Sequence, residues 1–258
     1  MIIQIPYSPH PKQREVHEDE TRFKVVVAGR RGGKTKLAVN ELIKRALTCV
    51  HIRGKIIPLF WYVSPTFKQS EAIAWKSLLD LLPPETIKSK RHQKLQIELN
   101  NGAMIECKGA TDDPASLKGV GLQYIILDEY GNMNEDVWDD IFRPMLLDTG
   151  GGALFIGTPE PDGSPHFHDL YLKGTMGVPD YKSWLFFTAD NPYIPKGEIE
   201  KARREMPPDI FKREFEADFS VTSGLIYDNF KHPTHVVPHY EPSVSDFIVG
   251  SMSKPFML

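Results

Sequence analysis

The sequence predicts an α/β fold, with a central, mostly parallel sheet flanked by helices and a small C-terminal lid subdomain. Three observations carry the prediction. Short buried-strand runs alternate with stretches of helical period through the first 158 residues. A glycine-rich turn joins the first such run to the first long helix. A later apolar run ends in two adjacent carboxylates, Asp128 and Glu129. Strands alternating with helices imply parallel pairing, with both faces of the sheet covered.

The elements follow in order. Lys24–Ala28 (KVVVA) reads as a buried strand. Lys34–Val50 places Leu37, Ala38, Leu42, Ile43, Ala46 and Leu47 at a helical period. Ile56–Val63 is a second strand run, and Phe67–Leu82 a helix stopped by Pro83 and Pro84. Gln96–Leu99 and Ala103–Cys107 flank Asn100-Asn101-Gly102, a hairpin signal. Tyr124–Leu127 and Ala153–Gly157 are two further strand runs, with an acidic-start helix, Glu135–Leu147, between them. Beyond Thr158 the composition changes: residues 159–208 hold eight of the 21 prolines. One apolar run remains there, Trp184–Phe187, followed by a charged helical stretch, Lys196–Ala217. This divides the chain into a core over 1–158, a lid over 159–222, and a linker over 223–258 leading into a further domain.

Composition excludes several classes. The chain has 258 residues, 41% apolar and 25% charged, which suits a globular domain with a real core. Two cysteines, Cys49 and Cys107, make neither a disulfide framework nor a four-cysteine zinc site. The longest apolar run, Ile56–Val63, contains Pro58 and is too short to span a bilayer. The opening residues lack the basic region of a signal peptide. No membrane partner is expected. The net charge of −3 argues against a wholly basic nucleic-acid binder. It conceals an uneven distribution, because residues 128–140 hold six acids and no Lys or Arg.

The chemistry concentrates in Ala28-Gly29-Arg30-Arg31-Gly32-Gly33-Lys34-Thr35, between a strand and a helix. That context defines a phosphate-binding P-loop. Gly29, Gly32 and Gly33 let backbone N–H groups curl around phosphate oxygens, and the helix N-terminus favours negative charge. Lys34 would reach the β- and γ-phosphates of ATP, and the Thr35 hydroxyl would hold Mg²⁺. Ala28 stands where the usual pattern has its first glycine. Arg30 and Arg31 add charge that can pair with a phosphate or with a neighbouring acid. Asp128 and Glu129 fall at the C-terminal edge of a buried strand, where open α/β sheets bind ligands. Asp128 would hold Mg²⁺ through water. Glu129 would orient and deprotonate the attacking water, a role that mere ATP binding does not need.

With these residues the chain resembles the large terminase subunit of tailed bacteriophages, the ATPase that drives DNA into the procapsid. The resemblance covers roughly residues 5–230. It is carried by the arginine-bearing P-loop, its spacing to Ile126-Leu127-Asp128-Glu129, and three weaker motifs. Pro11-Lys12-Gln13-Arg14 resembles the adenine-recognition segment, which implies that Gln13 reads the base. Tyr62-Val63-Ser64-Pro65-Thr66-Phe67 resembles the second-strand motif that helicases share. Ile156-Gly157-Thr158-Pro159 resembles the coupling motif, which implies that Thr158 senses the γ-phosphate. Where the family carries a trans-acting arginine, this chain has Lys118 in Ser116-Leu117-Lys118-Gly119. Lysine supplies the charge without the planar fork. The resemblance further implies double-stranded DNA, a portal protein and a small terminase subunit as partners. It also implies a homo-oligomeric ring and a place in the host cytoplasm. The family's C-terminal nuclease opens on a strand with a metal-binding aspartate. Phe247–Met252 resembles that strand but no aspartate follows, so no nuclease activity is expected of this chain.

Two other functions fit parts of the pattern. Gln13 and Ser64-Pro65-Thr66 also suit a helicase-type ATPase, which needs a second motor domain. A nucleotide-binding assembly module without turnover needs no Glu129. His166, His168 and Asp169 are too few for a zinc site. Lys88, Lys90, Arg91 and Lys94 read as a solvated loop ahead of the hairpin.

Overall fold

A computed structural model of the chain describes residues 5–49, 57–111, 117, 119–161 and 164–219. Eight strands form one sheet in the order β3-β4-β5-β2-β6-β7-β1-β8. Its centre is β1 (Phe23–Ala28), β2 (Leu59–Ser64), β6 (Tyr124–Asp128) and β7 (Gly152–Gly157). These strands pair in parallel with one another and with β5 (Met104–Gly109) and β8 (Tyr181–Phe186). At one edge, β3 (Ile87–Arg91) and β4 (Gln96–Leu99) add antiparallel pairs. The expected hairpin is β4–β5, with Gly102 in its turn at positive φ.

Side-chain alternation splits each central strand between two cores. Val26, Tyr62, Ile126 and Ile156 pack beneath α2 (Lys34–Thr48) and the helical stretch of α3 (Phe67–Ser70) and α4 (Lys76–Leu81). Val25, Val63, Leu127 and Phe155 pack on the other face, against Trp138, Phe142 and α6 (Pro165–Thr175). Burial on both faces explains why these strands read as unbroken apolar runs.

Several elements differ from the sequence expectation. The Phe67–Leu82 helix contains a π-turn over Glu71–Trp75. The expected helix Glu135–Leu147 is reduced to a π-turn, Trp138–Phe142, and a single turn, α5 (Arg143–Met145). Lys88, Lys90 and Arg91 lie on the edge strand β3 rather than in a loop. The run read as part of the lid becomes β8, paired along its length with β1. Residues 159–219 therefore supply an edge of the main sheet as well as α6, α7 (Lys196–Glu205) and α8 (Pro208–Glu216). A lone apolar run does not declare which sheet it joins. The proposed linker and further domain over 223–258 lie outside the described residues.

Beneath α2 the core holds charge. Lys24 of β1 and Glu41 of α2 are both fully buried. Glu41 accepts from Lys24 Nζ at 3.3 Å, Arg45 Nε at 2.7 Å and His17 Nδ1 at 2.7 Å. Lys24 also donates to the Val16 carbonyl at 2.6 Å. His17 and Val16 belong to α1 (Pro11–Glu18), so this cluster ties α1 to the P-loop strand and helix.

Candidate active site

The strand order builds the site. β7 lies between β1, which feeds the P-loop, and β6, which ends in the acids. Thr158, just past β7, therefore falls between the two. Its hydroxyl donates to the Ala28 carbonyl at 2.9 Å and accepts from Lys34 Nζ at 2.6 Å. Its backbone N–H lies 3.4 Å from Glu129 Oε2. Lys34 Nζ also donates to the Ala28 carbonyl at 3.1 Å and sits 4.0 Å from Glu129 Oε1. Burial lowers the Lys34 pKa, and the neighbouring Glu129 and Asp128 carboxylates oppose that shift. Lys34, Thr35, Glu129 and Thr158 share the lining of a cavity of about 1030 Å³ with Gly32, Gly33, Arg30, Arg31 and Gln13.

The loop is held in an unusual backbone. Arg31 and Gly33 both have positive φ, 61° and 92°. A Cβ on Gly33 would stand 2.6 Å from Gln13 Nε2. We expect Gly33→Ala to retain a cooperative melting transition and lose nucleotide binding by titration. The left-handed backbone alone costs about 1–2 kcal/mol for a residue with a Cβ. Wild-type affinity in that variant would contradict this account of the loop.

Glu129, at the end of β6, also has a left-handed backbone, at φ 51° and ψ 48°. Left-handed backbone at a non-glycine residue next to a cavity is a mark of functional sites. Asp128 is buried just behind the lining. Its Oδ2 accepts from the Tyr62 hydroxyl at 2.8 Å, while its Oδ1 is buried without a protein partner. Burial, aided by the charge on Glu129, pushes its pKa up to about 6. An unpartnered buried carboxylate oxygen next to a hydroxyl-bearing P-loop fits a hard divalent cation. Among the described residues no cluster of three or more His, Cys, Asp or Glu could hold a metal alone. Mg²⁺ suits such a site, because it takes one or two protein oxygens and completes its shell with phosphates and water.

Gln13 is buried at the cavity wall, and both ends of its amide are engaged by protein. Oε1 accepts from the His10 N–H at 3.0 Å, and Nε2 donates to the Gly33 carbonyl at 2.9 Å. It braces the P-loop, as does His10, whose Nε2 meets the Gly32 carbonyl at 3.3 Å. Arg30 pairs with Glu214 of α8 and is largely exposed, so the pair adds little stability. The loop backbone is clasped by the same region: Arg30 N–H donates to the Glu214 carbonyl at 2.6 Å. Thr188 Oγ1 donates to the Arg30 carbonyl and Asn191 Nδ2 to the Arg31 carbonyl. Lys118 lies outside the described residues. His166 Nε2 meets the Tyr130 carbonyl at 3.1 Å. Sequence reasoning gave no role to His10, Tyr62 or Glu214. No local pattern marks His10 or Glu214, since their partners lie 22 and 184 residues away.

Sheet order, loop and acid pair define the class: an α/β P-loop nucleoside triphosphatase fold. No profile of a known protein family matches the sequence. Over 181 residues it is 32% identical to the large terminase subunit of Escherichia phage T5, covering 67% of this chain and 40% of that protein. The ATPase domain of the large terminase of Thermus phage P74-26 superposes with a TM-score of 0.69 at 22% identity. That match covers 83% of this chain and 94% of the domain. A large terminase from a thermophilic bacteriophage, solved in complex with ADP, gives a TM-score of 0.68 at 18% identity. It covers 90% of this chain and 59% of that one. The chain spans 40% to 51% of the length of the curated relatives it matches. In sequence it is similar to large terminase subunits of bacteriophages, and in fold to the ATPase domain of one of them. Among the described residues no helix is long and apolar enough to cross a membrane.

Proposed function

We propose that the chain hydrolyses ATP with Mg²⁺ and that turnover drives double-stranded DNA into a viral procapsid. The observation that carries this reading is the convergence of Lys34, Glu129 and Thr158 on one cavity, each following one of three neighbouring strands, β1, β6 and β7. Lys34 holds the β- and γ-phosphates. Glu129 takes the proton of the attacking water as it adds in line to the γ-phosphorus. Thr35 and Asp128 would hold Mg²⁺, which neutralises phosphate charge when bound. Thr158 changes partners when the γ-phosphate leaves, because its hydroxyl shares Lys34 with it. Gln13 reads the base from the cavity wall that it lines, as well as bracing the loop. Arg30 and Arg31 supply charge at the phosphate end. Lys118 acts in trans on a neighbouring subunit of a homo-oligomeric ring. That ring docks on the portal with the small terminase subunit, in the host cytoplasm.

The relatedness to terminases favours this over a helicase-type ATPase, and Glu129 favours it over an assembly module without turnover. Phosphate release from Mg·ATP, measured with and without blunt double-stranded DNA, tests it. Turnover that rises with protein concentration and DNA, without strand separation, is the expected result. Strand separation by the purified chain, or no phosphate release at any protein concentration, would contradict it.

A further inference from the structure

Tyr62 sits on β2, one strand over from the acids, and its ring is fully buried. β2 and β6 run parallel, with Tyr62 beside Ile126. The hydroxyl therefore extends toward the end of β6, where it donates to Asp128 Oδ2 at 2.8 Å. The other oxygen of that carboxylate, Oδ1, is buried and has no protein partner. An ionised carboxylate only accepts, so the tyrosine proton points at Oδ2. The terminal torsion of an aspartate is otherwise broad and two-fold. The Tyr62 hydroxyl, with the backbone N–H of Glu129 also acting on the carboxylate, sets the rotation of the group and decides which oxygen remains open.

We propose that Tyr62 is a positioning residue for the cation site: it locks Asp128 through Oδ2 and leaves Oδ1 as the oxygen offered to a nucleotide-bound divalent cation. The inference rests on the ATPase reading above and assigns a function to a side chain that otherwise only fills the core. It also accounts for a tyrosine rather than a phenylalanine at a fully buried position, where the hydroxyl needs a partner.

Tyr62→Phe keeps the ring and removes one oxygen. The test is Mn²⁺ binding to the protein with ADP, followed by electron paramagnetic resonance, beside ADP affinity in EDTA. Outer-shell partners of metal ligands are worth about 10–100-fold in metal affinity, so a loss of at least about tenfold is expected. ADP affinity in EDTA should stay within about twofold, because Tyr62 reaches the nucleotide only through the cation. In an Asp128→Asn background, Tyr62→Phe should cause no further loss, since the two residues act as one unit. Mn²⁺ affinity unchanged in a variant that melts cooperatively would overturn the proposal. So would an equal loss in the Asp128→Asn background. If the wild-type chain takes up no Mn²⁺ with ADP, the ATPase reading fails too, and that result differs from a Tyr62-specific failure.

Discussion

Replacement of Glu129 by glutamine is expected to lower ATP turnover about 10²–10⁴-fold, the usual worth of a positioned general base. Nucleotide affinity should change little. The geometry separates the two effects. Lys34 makes its contacts to the Ala28 carbonyl and Thr158 Oγ1 without Glu129, which stands 4.0 Å away. The amide fits the same left-handed backbone as the acid, so the fold should be retained. It cannot take a proton from water. Steady-state phosphate release, with ADP binding measured in parallel, checks both halves. Turnover at the wild-type level would show that Glu129 is not the general base and would contradict its role in the proposed mechanism.

The second large effect is on folding. Glu41→Ala removes the carboxylate to which Lys24 donates in the buried cluster and leaves Lys24, Arg45 and His17 facing one another. Removing one partner of a buried ion cluster costs about 3–5 kcal/mol, because a charge is left unpaired in low dielectric. That approaches the whole stability of a typical domain. Denaturant unfolding should show a loss of unfolding free energy of that size, with α1 released from α2. The same cluster sets an acid limit. Burial alone would raise the Glu41 pKa, but the His17 hydrogen bond and the charges of Lys24 and Arg45 outweigh it and hold it at about 2. A depressed carboxylate stabilises the fold fully above its unfolded value of 4.5, and that stability is lost as pH falls toward 2. Glu41→Gln should flatten the stability profile across that window.

Much of this was legible in the sequence, and the reasons are local. Lys24–Ala28 announced a buried strand because both its faces are covered. Lys34 and Asp128 stood out because a glycine-rich turn ahead of a helix and a carboxylate closing an apolar run are local patterns. What was not legible depends on contacts distant in sequence. Nothing in the Trp184–Phe187 run says that it pairs with β1, 158 residues upstream at Val26 and Trp184. Gln13 was read as a base contact from its motif, whereas its amide is also a brace for Gly33, which only the packing of α1 on the loop reveals. Arg30 was left open between phosphate and acid, and its acid turned out to lie on α8. The basic cluster at Lys88–Arg91 looked like a loop because half-exposed edge strands carry few apolar residues.

The central claim is that Lys34, Thr35, Asp128, Glu129 and Thr158 form one ATP-hydrolysing site. A crystal structure with Mg²⁺ and a non-hydrolysable ATP analogue tests it most directly. We expect the γ-phosphate within hydrogen-bond reach of Lys34 Nζ and Thr158 Oγ1, and the cation on the side of Thr35 and Asp128 Oδ1. A water should lie between Glu129 and the γ-phosphorus. A nucleotide bound away from the P-loop, or one whose γ-phosphate points away from Glu129, would contradict the account.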